Sequence, residues 1–320
     1  MATSTDFITK TYAGEYKNQI ISSALLAGNT LAQNAITFKP NIVGREVVRR
    51  LETDGLVRAA TCDFSDTSTI TSSERYIEPK EFQVNLELCK TDWFNDWNGY
   101  QMGASAFRNM PSTIQDYIVQ YVAAKVAQSN ENSIWAGVDD GTASSNDYDG
   151  FTTLLAADAN LPSANEIPGT TVDSTNVVAE MGKVYSAIPK AIFGSPELCL
   201  YVSQDVYKSY AISLGGFAAN GEGANGINAQ GLNQSFSGLQ YAGLPIFVAN
   251  GLPASTMVAA EKSNLWFGTS IMSDWNEVRL LDMSDLDGSK NVRVIMRFLA
   301  GVQYGIVEEI VTYGIVNNAN

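Results

Sequence analysis

The sequence has no histidine, only three cysteines, and 20 basic side chains against 34 acidic ones in 320 residues. Each shortage removes a class of function. Without histidine the chain lacks the commonest general base at neutral pH and the commonest zinc ligand, so hydrolytic and metal chemistry are not expected. Cys62, Cys89 and Cys199 are odd in number and far apart. They offer neither a disulfide framework nor a paired metal-ligand motif, and read as buried or neutral thiols of a reducing compartment. The formal net charge of −14 speaks against a chain that grips nucleic acid as a whole, because that affinity comes from clustered Lys and Arg. An acidic wall around DNA is compatible with it, since such a wall repels its contents weakly. Long apolar runs are missing too. Residues 18–38 carry no charge but are interrupted by Ser22, Ser23, Asn29, Thr30, Gln33 and Asn34, short of the roughly 20 apolar residues a membrane span needs. The first residues show no basic stretch leading into an apolar one, so no targeting segment and a soluble protein are expected.

What is present suffices for a core: 45% of residues are hydrophobic and 17% charged, too apolar for a disordered chain. The length exceeds that at which one core usually stops growing, which predicts one elaborate domain or two lobes.

Residues 1–55 read as an arm with helical pieces, one over 15–35 and a second over 45–51 between Gly44 and Gly55, with Arg45 and Arg49 on one face. From residue 56 the pattern turns strand-like. Residues 56–61 lead in, 65–73 are rich in Ser and Thr, and 82–88 alternate strictly, which predicts a long hairpin with an exposed tip. Such a hairpin is hard to stabilise on an isolated subunit. Pro111 opens the clearest helix. Ile114, Ile118, Tyr121, Val122 and Val126 recur at spacings of three and four, and Gly137 is a left-handed stop. A second helix starts at Asp173-Ser174 and ends at Pro189; a buried strand over 198–202 and a short helix after Ser203 follow. In residues 209–260 the one charge is Glu222, a composition suited to loops crowding a symmetry axis, where like charges repel. Near the C-terminus, 278–281 and 291–299 flank a turn at 284–289. Val292, Val294, Met296 and Phe298 fall on one strand face, Arg293 and Arg297 on the other.

Three motifs invite chemistry and are set aside. Gly221, Gly223 and Gly226 match a dinucleotide fingerprint, but no strand enters it and Glu222 would face the phosphates. Asp285-Leu286-Asp287-Gly288 lacks the further ligands of a calcium loop and reads as a turn. Asp92, Trp93, Phe94, Asp96 and Trp97 read as a packed elbow rather than a sugar or acid–base site. No catalytic, cofactor-binding or metal-ligating residue is assigned.

The order of these features resembles the HK97-like fold of tailed-bacteriophage major capsid proteins. Residues 56–88 look like that family's extended loop and 111–136 like its spine helix. Residues 173–189 with Leu200-Tyr201-Val202-Ser203 look like its axial lobe. Residues 239–248 are similar to its glycine–x–proline return, and 264–269 with 293–304 to its closing strands. The resemblance implies an α+β fold in five parts: an N-terminal arm (1–55), an extended β-hairpin loop (56–90), a peripheral domain (91–150) with the spine helix at 111–136, an axial domain (151–270), and a return through the peripheral sheet (271–320). It implies a non-enzymatic shell subunit, without cofactor or membrane contact, forming pentamers and hexamers of an icosahedral or prolate head. The head encloses double-stranded DNA without sequence-specific binding. Implied partners are a portal protein and separate scaffolding or decoration proteins, with assembly in the host bacterial cytoplasm and residence in the virion. Subunit contacts are expected at Arg45, Arg49, Arg50, Thr67, Thr69, Thr71 and Glu222. The arm is too short for a cleavable scaffolding segment, and crosslinking through Lys80 is not expected. The alternatives are an encapsulin-like compartment, which shares the fold, and a nucleotide-binding enzyme using residues 221–226.

Overall fold

The computed structural model describes residues 29–53, 57, 59–60, 62, 69–90, 112–142, 147–214, 239–270, 278–285 and 288–317. A short helix α1 (Asn29–Ala32) precedes β1 (Thr37–Lys39), β2 (Glu46–Thr53), β3 (Ile70–Ile77) and β4 (Lys80–Cys89). Next come α2 (Ser112–Ala136), α3 (Phe151–Ala157), β5 (Glu166–Ile167), α4 (Val177–Ala187), β6 (Leu198–Val202) and α5 (Gln204–Ser213). The remainder is β7 (Gln240–Tyr241), β8 (Leu244–Val248), β9 (Met257–Glu261), β10 (Leu265–Gly268), β11 (Arg279–Asp282), β12 (Asn291–Tyr304) and β13 (Val311–Tyr313). The fold is α+β, as the sequence led one to expect. Among the described residues one compact unit draws on Gln83–Val126 and Ser273–Phe298, the other on Leu26–Phe82, Ala127–Met272 and Leu299–Asn320.

The second unit is organised by a six-stranded sheet in the order β5-β13-β9-β6-β8-β7. β6 lies inside it, parallel to β8 and antiparallel to β9, and all five of its residues are buried. That is why its sequence, Leu-Cys-Leu-Tyr-Val, shows no polar alternation. α4 lays Val177, Met181 and Val184 against the sheet at helical spacing, and α5 adds Val206, Tyr207 and Tyr210. Each such side chain contributes about 1.5–3 kcal/mol of burial. Asp173 ends the loop before α4: its carboxylate accepts from the N–H groups of Thr175 and Asn176 at 2.8 and 3.1 Å. β7 turns into β8 through Ala242 and Gly243 at φ 47° and 87°, the paired positive angles of a tight hairpin turn.

In the first unit β12 pairs with β11, Asp282 opposite Val292 and Arg279 opposite Ile295, and also with β4. Val292, Val294, Met296 and Phe298 are buried while Arg293 and Arg297 are exposed, the predicted alternation. Lys90 is buried, and its ammonium is paired with Asp282 and donates to Ser284 Oγ.

Three expectations are corrected. Residues 45–51 are not helical: Glu46–Thr53 is a strand whose eight residues pair with β3, from Glu46 opposite Ile77 to Thr53 opposite Ile70. A seven-residue helix is marginal alone, whereas adjacent β-branched Val47 and Val48 suit a ladder. The hairpin strands are therefore 46–53 and 70–77, not 56–61 and 82–88. The alternation at 82–88 is real, but β4 spends it on β12. Gly137 does not adopt a left-handed angle. It is there for close approach, since a Cβ would lie 2.3 Å from Tyr148 O and 2.7 Å from Ser133 O. The helix expected over 15–35 is described only from Asn29. The 92–97 cluster, the 221–226 glycines, and Leu286 and Asp287 lie outside the described residues.

Candidate functional site

β2 and β3 form a two-stranded sheet of their own. Strand parity puts Arg45, Val47 and Arg49 on one face, with Glu78, Tyr76 and Glu74 across from them. Arg45 pairs with Glu78 at 2.7 Å and Arg49 with Glu74 at 2.9 Å, and the Arg45 guanidinium lies 4.1 Å from the Tyr76 ring centroid. These pairs are solvated and add little to stability. Between them Val47 is 47% exposed, Tyr76 49%, and Ile70 at the far end 69%. A two-stranded ribbon presenting apolar side chains to water is only marginally stable unaided, so what fixes its base matters.

The base is tied on the other face. Arg75 of β3 reaches Asp158 Oδ2 at 2.5 Å and lies 4.5 Å from the Tyr304 ring centroid, while Tyr304 Oη donates to the same carboxylate oxygen at 2.8 Å. Gln303 Nε2 donates to Tyr76 O at 3.2 Å, Lys39 pairs with Glu46 at 3.2 Å, and Ile77 is buried over Gly268. Burial pushes the Asp158 carboxyl up, but hydrogen bonds from Arg75, the Asn160 N–H and Tyr304 outweigh it and hold the group below its ordinary value. Burial, then the bond to Asp158, raises the Tyr304 hydroxyl, so it stays a donor. An open cleft of about 810 Å³ flanks this clamp, lined among others by Arg49, Tyr76, Trp266 and Glu261.

The clamp has a pH consequence. A carboxyl whose folded value is depressed contributes stability above its unfolded value, near 3.9, and loses it as pH falls through the folded value. The ribbon base is therefore held at neutral pH and released as acid takes the pH down through the depressed folded value. Asp158→Asn is expected to remove roughly 1–3 kcal/mol of local stability, read as faster amide exchange in 70–77 at pH 7. Unchanged exchange there would mean that the clamp is not what seats the ribbon.

Of the residues singled out from sequence, Arg45 and Arg49 come together on one ribbon face. Arg50 lies opposite Ser73 and Thr71 opposite Glu52 in the register, and Thr69 and Thr71 are exposed. Thr67 and Glu222 lie outside the described residues. Val47, Tyr76 and the Arg75–Asp158–Tyr304 clamp were not singled out. The adjacent β-branched Val47 and Val48 were a signal for a strand there; nothing links Arg75 to Asp158 before folding. Among the described residues no cluster of three or more His, Cys, Asp or Glu side chains is placed to hold a metal ion, and no helix is long and apolar enough to cross a membrane.

No family model matches the sequence, and no curated protein matches it significantly. Solved structures do. The capsid of a native GTA particle superposes with a TM-score of 0.65 at 14% identity, over 95% of each chain. A chain of Mycobacterium phage Adephagia gives 0.57 at 15% identity over 98% of each, and one of Gordonia phage Cozz 0.55 at 14% identity over 95% of this chain and 91% of that one. The chain thus shares the fold of these proteins over most of its length, with little of their sequence.

Proposed function

We propose that this protein is a major capsid protein, the shell subunit of a tailed-phage head or a closely related particle. The observation that carries the reading is the likeness to the native GTA capsid over 95% of both chains. A shared domain inside an otherwise different protein would not extend so far. The β2–β3 ribbon supports it: side chains exposed on one copy become buried area when copies pack. In this reading the ribbon is the extended loop and α2 the spine helix. The lobe built on β6, α4 and α5 is the axial domain, and β11, β12 and β4 belong to the peripheral sheet.

Five or six copies close into a capsomer by a head-to-tail contact repeated around an axis. Arg45, Arg49, Arg50, Thr69 and Thr71 of the ribbon, together with Thr67, meet a neighbouring subunit, and Glu222 belongs to the charge-poor segment nearest the axis. The enclosed cargo is double-stranded DNA, held without sequence-specific contacts behind a wall of net negative charge. A portal protein and separate scaffolding or decoration proteins complete the head, which is assembled in the bacterial cytoplasm and ends in the virion.

Negative-stain electron microscopy of the protein expressed alone tests this. Closed shells, tubes or five- and six-fold rings are expected. A small closed oligomer such as a dimer would refute it.

A further inference from the structure

β12 turns one face inward and the other to water. Val292, Val294, Met296 and Phe298 fill the buried face, while Arg293, Ile295 and Arg297 alternate with them on the outer one. The register with β11 sets Arg279 opposite Ile295 and Leu281 opposite Arg293, so both belong to the outer face. Arg279 therefore lies diagonally across from Arg293 and from Arg297, about 7–8 Å from each, within reach of long side chains. Glu87 of β4 pairs with Arg293 at 3.2 Å. Arg297 is exposed and has no ion pair among the described residues. Like charges so placed repel one another, and an acidic partner would turn that repulsion into attraction.

The chain carries such a partner in its other unit. The cleft beside the Arg75–Asp158–Tyr304 clamp is lined by five acidic residues and two basic ones. The basic pair is already engaged, Arg49 with Glu74 at 2.9 Å and Arg75 with Asp158 at 2.5 Å. The balance of the lining is negative, set by Glu261, Glu308 and Glu309, all half-buried. Glu261 has no ion pair among the described residues. Tyr76 and Trp266, both partly exposed, lie in the same lining. Carboxylates beside aromatic rings are the surroundings that a guanidinium favours, since it forks to the one and stacks on the other.

We propose that the arginine face of β11 and β12 on one copy docks into the acidic cleft of a second copy. A protein partner suits this face better than DNA does. Leu281, 40% exposed, and Ile295 stand among the arginines, and Glu87 sits on one of them; a phosphate backbone rewards none of these. Face and cleft are each complementary to the other and neither to itself. Such a contact is head-to-tail, the kind that closes rings. Face against face, or cleft against cleft, sets like charges together, so the contact also fixes the direction in which copies add. The inference rests on the shell reading, for which it names a pair of contacting surfaces.

Charge exchange in the full chain tests it, with the concentration at half assembly read by light scattering. Arg297→Glu and Glu261→Arg are each expected to raise that concentration at least about tenfold, because like charges then meet across the contact. The chain carrying both changes is expected to return to the parental value, since the exchanged charges attract again. Neither position bears an ion pair within the copy, so all three variants should melt close to the parent. Parental assembly in either single variant overturns the contact and leaves the shell reading standing, as does a doubly changed chain that stays dissociated. Particles of Arg297→Glu at normal yield that have lost co-purifying nucleic acid would assign the face to DNA and overturn the proposal. A parent that stays monomeric at every concentration overturns the contact; one that closes as a dimer overturns the shell reading with it. Should a reversal not fold, Arg297→Gln and Glu261→Gln are expected to weaken assembly in the same direction, and no weakening in either overturns the proposal.

Discussion

Val47→Glu is expected to leave the subunit folded and abolish assembly. Val47 is about half exposed, so the fold loses little: a substitution at such a site usually changes stability by no more than about 0.5 kcal/mol. On its own strand face the new carboxylate sits between Arg45 and Arg49, which favour it, and the residue opposite is Tyr76, which carries no charge. The assembled state is different. If the ribbon face is packed on a neighbour, an unpaired carboxylate there costs several kcal/mol after relaxation. A closed shell repeats that contact in every subunit, so the penalty recurs at each step of growth and particles disappear rather than merely weaken. Thermal melting of the variant should match the parent within a few degrees while electron microscopy shows no shells or rings. Shells at the parental yield would mean that the ribbon face is solvent-exposed in the particle, and would move the search for the contact elsewhere.

How the ribbon escaped the sequence reading is instructive about what local pattern can and cannot carry. α2 was legible along its described span, Ser112–Ala136, because 25 residues of one helix repeat their signal many times over. β6 and the first half of β12 were legible for a different reason. Each is bounded by turn residues, and burial on both faces or on one leaves a pattern of its own. Residues 45–51 offered only two turns' worth of helix signal, and the breakers Gly44 and Gly55 bracket a strand as readily as a helix. The register with β3, some twenty residues on, decided the matter, and register is a tertiary fact. The Arg75–Asp158–Tyr304 clamp lies further still from local reading. Its members are separated by 83 and 146 residues and are ordinary in their own surroundings. The surfaces that assembly is proposed to use were thus visible as composition, while the contacts that aim them were not.

The same distinction makes Gly137 one of the most severe sites of change among the described residues. A Cβ there would stand 2.3 Å from Tyr148 O, 2.7 Å from Ser133 O and 2.9 Å from Ser133 Cα, all backbone atoms that no rotamer change can move. Gly150 meets the same crowd, 2.6 Å from Ser133 O and 2.8 Å from Gly137 N, and its N–H donates to Gly137 O at 2.9 Å. The crossing is fastened by Thr152 Oγ1 on Trp135 O and Thr153 Oγ1 on Gly137 O, both at 2.7 Å. Fully buried Trp135 packs beside it against Phe151 and Tyr201, with ring centroids 5.4 and 5.1 Å away. Gly137→Val must push these backbones apart and unseat that aromatic cluster. A loss above about 4 kcal/mol is expected, a large part of the whole stability of a domain, and the soluble, cooperatively melting protein should vanish. Even Gly137→Ala should be severe, because the first added carbon already collides. Gly194→Ala is the control. Its φ of 90° also disfavours a side chain, but nothing lies within 4 Å of the added Cβ, so only the backbone strain of about 1–2 kcal/mol remains. Equal melting temperatures for Gly137→Ala and Gly194→Ala would show that close approach is not what requires a glycine at the end of α2. A clear gap between them would place the crossing of the two backbones among the strongest constraints on the fold. It would also separate the two failures, since Gly137→Val loses assembly by losing the subunit, whereas Val47→Glu keeps the subunit and loses only its neighbours.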